Sequence, residues 1–258
     1  GHTSWATLFR HLRYVVLDEA HVYRGIFGSH VALLMRRLRR VASSYGATPQ
    51  FILCSATLAN AGEHATRLIG LPVTVITNDG APSGERWFVL WNPPLTDAMN
   101  GARHSTNAEA ADILATLVRA GMRNITFVRA RRLAELVCLY ARQTLAKDDP
   151  ALAERIAPYR AGYLPADRRR LERALFSGEL LAVAATNALE LGIDVGDLQA
   201  AVLVGYPGTI ASLWQQAGRA GRGQAESLAV LLAYSNPLDQ YLMRHPAELF
   251  QRSPEHAL

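Results

Sequence analysis

Short apolar runs alternate with segments of helical periodicity along the chain, the arrangement expected of an α/β protein built on parallel strands. Residues 14–17, Tyr-Val-Val-Leu, are uniformly apolar and predict a strand buried on both faces. Over Ser29–Val41, the residues Val31, Leu34, Met35, Leu38 and Val41 share one helical face. Arg36, Arg37, Arg39 and Arg40 lie largely off that stripe and read as a solvated outer face. Phe51–Cys54 and Val73–Thr77 predict two further strands. Residues 78–86, Asn-Asp-Gly-Ala-Pro-Ser-Gly-Glu-Arg, are polar and turn-forming, as a linker should be. A strand at 87–91 then leads into a second loose stretch, residues 92–107. The alternation resumes with a helix over 108–120, a strand over 124–128, a helix over 130–146 and a strand over 155–159. A helix opened by Pro165, strands at 180–185, 200–205 and 227–233, and a helix after Pro237 follow. The pattern divides into an α/β domain over 1–80, a linker with its incoming strand over 81–107, and a second α/β domain over 108–258. The second domain carries a full set of strands, whereas the first is expected to be truncated at its amino end.

Composition narrows the class of molecule. A chain of 258 residues can bury one large core or two modest ones, and 50% apolar with 19% charged residues is ordinary for a globular protein. No apolar run approaches the ~20 residues that span a bilayer. Gly1-His2-Thr3-Ser4-Trp5 has neither the basic nor the apolar region of an export signal, so a cytoplasmic location is expected. Cys54 and Cys138 are far apart in apolar segments and read as buried thiols in a reducing compartment, not as a disulfide or zinc framework.

The net charge of +5 is modest, but of the 27 basic residues only Lys147 is not arginine. Genome composition alone produces such a skew; even so, the planar guanidinium fork suits a phosphate-bearing partner. Lys147 also settles a second point. A phosphate-cradling P-loop needs Gly-Lys followed by Ser or Thr, and Lys147 lies in Ala-Lys-Asp-Asp, so the chain contains no P-loop.

Candidate chemistry gathers at predicted strand ends. Asp18 and Glu19 emerge where the first strand finishes, with His21 two positions on. The carboxyl edge of an open α/β sheet is where ligands bind, and paired carboxylates there suit Mg²⁺-assisted attack by water on a phosphate. A bare Asp-Glu pair is equally a solvated acidic turn. Ser55-Ala56-Thr57 follows the next strand, with hydroxyls that can reach those carboxylates or simply cap a helix. In the second half Arg129, Thr186 and Asn187 follow strands, where guanidinium, hydroxyl and amide groups suit a nucleic-acid backbone. Downstream, Gly192 permits a tight turn and Asp194 presents a carboxylate toward the sheet edge. Gln215-Gln216-Ala217-Gly218-Arg219-Ala220-Gly221-Arg222 places two arginines three apart, on one face if helical. Arginines brought to a γ-phosphate from a second domain act as fingers worth roughly 10³–10⁵ in rate.

Asp18-Glu19-Ala20-His21, Ser55-Ala56-Thr57, Thr186…Gly192-Ile193-Asp194 and Gln215…Arg219…Arg222 stand in the order and spacing of the superfamily 2 helicases. The chain resembles their DEAH-box branch, in particular the bacterial MrfA/YprA-like and fungal Hrq-related DNA helicases. Tyr23 to His30, Tyr159 to Pro165 and Asn236 to Leu242 carry the closer likeness, which covers essentially the whole chain. The resemblance implies two RecA-like parallel-sheet domains, with ATP and Mg²⁺ as cofactors and no zinc site in this stretch. It implies that Asp18 positions Mg²⁺ through water and that Glu19 is the general base. His21, Ser55 and Thr57 would couple nucleotide state to closure. Arg219 and Arg222 would be fingers supported by Gln215, with Gly192 and Asp194 near the nucleotide. Arg129, Thr186 and Asn187 would face the strand backbone.

The implied function is ATP-driven translocation and unwinding in the 3′ to 5′ direction on single-stranded or partly duplex DNA, with a role in DNA repair near the nucleoid. RNA as the track stays open, because the motifs contact backbone. Without a P-loop the piece is expected to be an internal fragment that does not hydrolyse ATP alone. A non-enzymatic nucleic-acid-binding module derived from a motor is the competing reading; the intact Glu19, Arg219 and Arg222 speak against it. Nothing resembles a guanine-reading motif, and no membrane partner is implied.

Overall fold

A computed structural model describes residues 1–55, 58–78, 80, 84–97, 99–160, 162–186, 197–221 and 223–252. The chain forms two compact units, residues 1–80 and residues 81–252. Thr57, Asn187, Gly192, Asp194 and Arg222 lie outside the described residues.

In the first unit a 3-10 turn (His2–Trp5) and α1 (Ala6–Arg10) precede β1 (Tyr14–Leu17). A second 3-10 turn (Ala20–Val22) leads to α2 (Gly25–Ser44), then β2 (Gln50–Leu53) and α3 (Ala61–Ile69). β1 and β2 pair in parallel, Tyr14 against Gln50 through Leu17 against Leu53. Side chains alternate between sheet faces, and only one face is covered. Leu17, Val15, Phe51 and Leu53 pack with Met35 of α2 and with Leu68 and Ile69 of α3. Within this stretch Tyr14 is 60% exposed and Val16 59% exposed, because α2 and α3 pack on one side of β1. Val73–Thr77 is not a strand either. Val73 packs beside Leu71 onto the cluster, but the segment has no ladder partner among the described residues.

Helix α3 lies outside the elements the apolar pattern predicts, although Ala61, Ala65, Leu68 and Ile69 recur at helical spacing. It ends at Gly70, whose φ of 69° is left-handed, with Gly70 N–H bonded to Thr66 O. Two of the α2 arginines are not simply solvated. Arg39 Nη1 donates to Ile69 O at 3.1 Å and Gly70 O at 3.0 Å, and Arg36 Nη2 donates to Arg67 O at 3.0 Å. They satisfy orphan carbonyls at the α3 terminus, where positive charge is also favoured by the helix dipole. Cys54, expected to be buried, is exposed, whereas Cys138 is buried.

The second unit begins with β3 (Arg86–Trp91) and a small hairpin, β4 (Leu95–Asp97) with β5 (Ala102–Arg103). It continues with α4 (Thr106–Arg119), β6 (Asn124–Phe127), α5 (Arg131–Ala146), α6 (Pro150–Ala153), β7 (Ile156–Tyr159), α7 (Pro165–Phe176) and β8 (Ala182–Ala185). β9 (Ala200–Val204), α8 (Ile210–Ala217), β10 (Ser227–Leu232), α9 (Pro237–Arg244) and α10 (Ala247–Phe250) complete it. Six strands form a parallel sheet in the order β3-β10-β9-β6-β8-β7. The strand expected within the linker is therefore an edge strand of this sheet, paired along its length with β10.

Both faces of this sheet are covered. Leu114, Val118, Val137 and Leu145 of α4 and α5 pack with Ala182, Ala184 and Val204 on one side. Leu175, Leu213 and Leu242 of α7, α8 and α9 pack with Ile125, Val183 and Leu203 on the other. That accounts for the near-continuous apolar runs of the inner strands. The chain leaves β6 toward β7 on one side and leaves β9 toward β10 on the other. The adjacent carboxyl ends of β6 and β9 thus flank the sheet's switch point, the usual ligand crevice of such folds.

Candidate functional site

The first cluster sits at the carboxyl end of β1. Cys54 N–H bonds to Leu17 O, and Ala20 N–H bonds to Cys54 O at 2.9 Å, so the Asp18–Ala20 turn is laced to the end of β2. Glu19 has φ 50° and ψ 44°, a left-handed conformation that no other non-glycine residue adopts among the described residues. Such backbone costs on the order of 1–3 kcal/mol and persists where surrounding contacts enforce it, often at functional sites. Here the Asp18 carboxylate helps: its Oδ1 accepts the Glu19 N–H at 2.8 Å.

His21 joins the parts. Its Nδ1 lies 3.4 Å from Glu19 Oε2 and 3.4 Å from Ser55 Oγ. Glu19, one carboxylate of the pair, and the Ser55 hydroxyl therefore meet at one imidazole at the shared sheet edge. A residue that pattern reading missed supports the turn. His64, buried on α3, donates from Nε2 to Ala20 O at 2.9 Å. The one signal for it was a histidine shortly after the Ser-Ala-Thr turn. Gly28 matters for close approach, since a Cβ there would fall 2.3 Å from Tyr23 O and push α2 off the turn. The oxygen donors of Asp18 and Glu19 suit a hard cation such as Mg²⁺. Asp18 is exposed at the sheet edge, which fits a metal held through water and a phosphate-bearing ligand.

The second unit carries the remaining candidates. Arg129 follows β6 and is half-exposed; Nη2 donates to Tyr206 O at 3.0 Å and pairs with Asp239 Oδ1 at 3.4 Å. Its guanidinium carbon stands 4.8 Å from the centre of the Tyr234 ring. Burial raises the Tyr234 hydroxyl above its ordinary range. A cavity of about 210 Å³ opens at the switch point, lined by Val128, Arg129, Gly205, Pro207, Ser212 and Gln216. Thr186 is buried at the end of β8.

Gln215 lies half-buried on α8, but the arginine motif is not helical throughout. α8 ends at Ala217, and Arg219 lies in the following turn, only 6% exposed. Gly218 closes the helix, Ala220 bridges to Leu198, and Gly221 N–H bonds to Leu198 O at 2.9 Å, which draws the chain into sheet pairing. Arg86 of β3 donates to Ala220 O at 3.0 Å and holds that turn. Trp214 of α8 packs edge-on against Phe88 at 5.5 Å, a second tie between β3 and the motif.

Comparison with known proteins gives a consistent picture. Residues 2–64 match the DEAD/DEAH box helicase family, and residues 109–224 match the helicase conserved C-terminal domain. An uncharacterized ATP-dependent helicase of Bacillus subtilis, YprA, is 46% identical over 99% of this chain and 34% of its own length. The ATP-dependent helicase HRQ1 of Saccharomyces cerevisiae is 41% identical over 97% of this chain and 24% of its own. The crystal structure of the DUF1998 helicase MrfA bound to DNA superimposes with a TM-score of 0.95 at 46% identity, covering 99% of this chain and 34% of that one. The chain thus spans about a third or less of the length of these curated relatives. Both units are RecA-like α/β segments of this helicase type. Among the described residues, no helix is long and apolar enough to cross a membrane.

Proposed function

We propose, for a chain that belongs to the DEAD/DEAH-box helicases and resembles their MrfA/YprA and Hrq branch, that it is part of an ATP-dependent motor translocating on DNA. The contact that carries this reading is His21 Nδ1 at 3.4 Å from both Glu19 and Ser55. It links a carboxylate suited to activating water with a hydroxyl on the neighbouring strand, so a change at one is felt at the other.

In this reading Glu19 takes the proton of the attacking water, and Asp18 would hold Mg²⁺, which when bound would supply charge to offset that of the phosphate. His21 with Ser55 and Thr57 couples that step to domain closure, a two-state change set by the terminal phosphate. Arg219 and Arg222, supported by Gln215, stabilise the transferred phosphoryl group, and Gly192 and Asp194 serve the nucleotide. Arg129, Thr186 and Asn187 grip the backbone of one strand, so binding is steeply salt-dependent and weakly sequence-selective. We assign the motor 3′-to-5′ movement on single-stranded or partly duplex DNA and a place in DNA repair in the cytoplasm near the nucleoid.

The Gly-Lys-Ser/Thr loop is not among the 258 residues, so this chain alone is expected to show negligible ATPase. The test belongs in the full-length protein. Glu19→Gln should lower DNA-stimulated ATP hydrolysis by about 100-fold or more while single-strand binding persists. Hydrolysis within twofold of the parent would end this assignment. Equal stimulation by RNA would reassign the track, and displacement of strands only from 5′ overhangs would reverse the polarity.

A further inference from the structure

One buried carboxylate in the second unit ties three strand ends together. Asp239 is 1% exposed, in the first turn of α9. Its Oδ2 accepts the Tyr234 N–H at 2.9 Å, beyond β10, and the Tyr206 N–H at 3.3 Å, beyond β9. Its Oδ1 faces Arg129 Nη2 at 3.4 Å, beyond β6. Asn236 caps the same helix, its Oδ1 accepting the Asp239 N–H at 2.9 Å, so the carboxylate is itself held. A carboxylate this buried is tolerated only with such partners.

Arg129 is the partner that is not fully enclosed, its side chain 48% exposed. Among the described residues its polar contacts use Nη2, and the Tyr234 ring supports one face of the guanidinium. Nε and Nη1 are left with donors for a ligand. Gly205 makes room for this stack. Its φ is +82°, and a Cβ there would fall 2.4 Å from the Tyr234 ring and 2.8 Å from Arg129 Nη2. The same Gly205 and Arg129 line the cavity at the switch point.

We propose that Asp239 is a positioning residue for nucleic-acid binding: it fixes the Arg129 guanidinium at the cavity mouth with its remaining donors turned to a backbone phosphate. The proposal rests on the reading of Arg129 as a phosphate contact. Pre-ordering matters because an arginine side chain already held in place loses less rotamer freedom when a phosphate pins it.

The experiment is a double-mutant cycle in the full-length protein, read as affinity for a fluorescent oligothymidylate across a salt series. Arg129→Ala should weaken binding roughly tenfold, about one charge-assisted hydrogen bond, and lower the salt slope by about one. Asp239→Asn should weaken binding severalfold, and the double variant should bind no worse than Arg129→Ala. Full additivity, or an Asp239→Asn affinity within twofold of the parent while Arg129→Ala loses tenfold, would overturn the positioning role. An Arg129→Ala variant that binds like the parent would instead overturn the reading of Arg129, and this inference with it. Should Asp239→Asn fail to fold, Asp239→Glu replaces it in the cycle, keeping the charge but displacing the carboxylate from Arg129. Non-additivity with Arg129→Ala again supports the proposal, and additivity sinks it.

Discussion

The two units bury their sheets differently. In the second, β9 and its neighbours have helices on both faces, and Leu203 is fully enclosed between them. In the first, β1 and β2 have helices on one face, and the other face shows Tyr14, Val16 and Ile52 to solvent. The first unit has polar ties beside its one packed face: Arg36 and Arg39 on the α3 carbonyls, His64 on the Ala20 carbonyl, Cys54 backbone on both sides of the carboxylate turn. Apolar runs mark strands in both units, and the helices packed on them set which side chains are enclosed.

The largest expected effect tests that contrast directly. Leu203→Ala should destabilise the second unit by about 2–5 kcal/mol, whereas Val16→Ala in the first should stay within about 0.5 kcal/mol. Amide exchange resolved by unit measures both; similar losses at the two sites would erase the distinction. The cysteines offer a second reading. Exposed Cys54 should be alkylated in the native protein and Cys138 only after unfolding.

Burial also pushes the Cys138 thiol up to about 11, from an ordinary 9.0. The unfolded chain then releases this proton first, so the contribution is intact below pH 9.0 and fades as pH rises toward about 11. The fall should not exceed about 1.4 kcal/mol per pH unit and should vanish from the difference profile in Cys138→Ala. A smaller effect comes from the first unit's polar ties. Arg39→Ala should cost about 1 kcal/mol and speed exchange at the end of α3. Smallest of all, Arg67→Ala removes an exposed i,i+4 pair with Glu63 and should change stability by about 0.3–0.5 kcal/mol. A larger loss there would mean that charge, not packing, governs the first unit.

Much of this was legible along the chain. β8, β9 and β10 of the second unit were marked by nearly unbroken apolar runs, because parallel strands sandwiched between helices admit little else. Asp18, Glu19, His21 and Ser55 were legible because they stand directly after such runs, which places them at one edge. What escaped was whatever depended on partners distant in sequence. α3 is a short helix of only nine residues, and the support for His64 is the carbonyl of Ala20, far upstream. Val73–Thr77 has the composition of a strand but no neighbour to pair with among the described residues. The helix expected to carry Arg219 ends at Ala217, and after Gly218 the chain turns to bridge with Leu198.

By itself the sequence determined the α/β class, the order of strands along the chain, and which chemical groups stand at strand ends, because these follow from local periodicity and adjacency. Only the tertiary structure decided that β3 joins the second sheet, that Arg219 is buried, and that Asp239 gathers Arg129, Tyr206 and Tyr234. The reason is physical. A buried charge or an unpaired strand edge is satisfied by whatever partner the fold brings to it, and that partner is chosen in space, not along the chain.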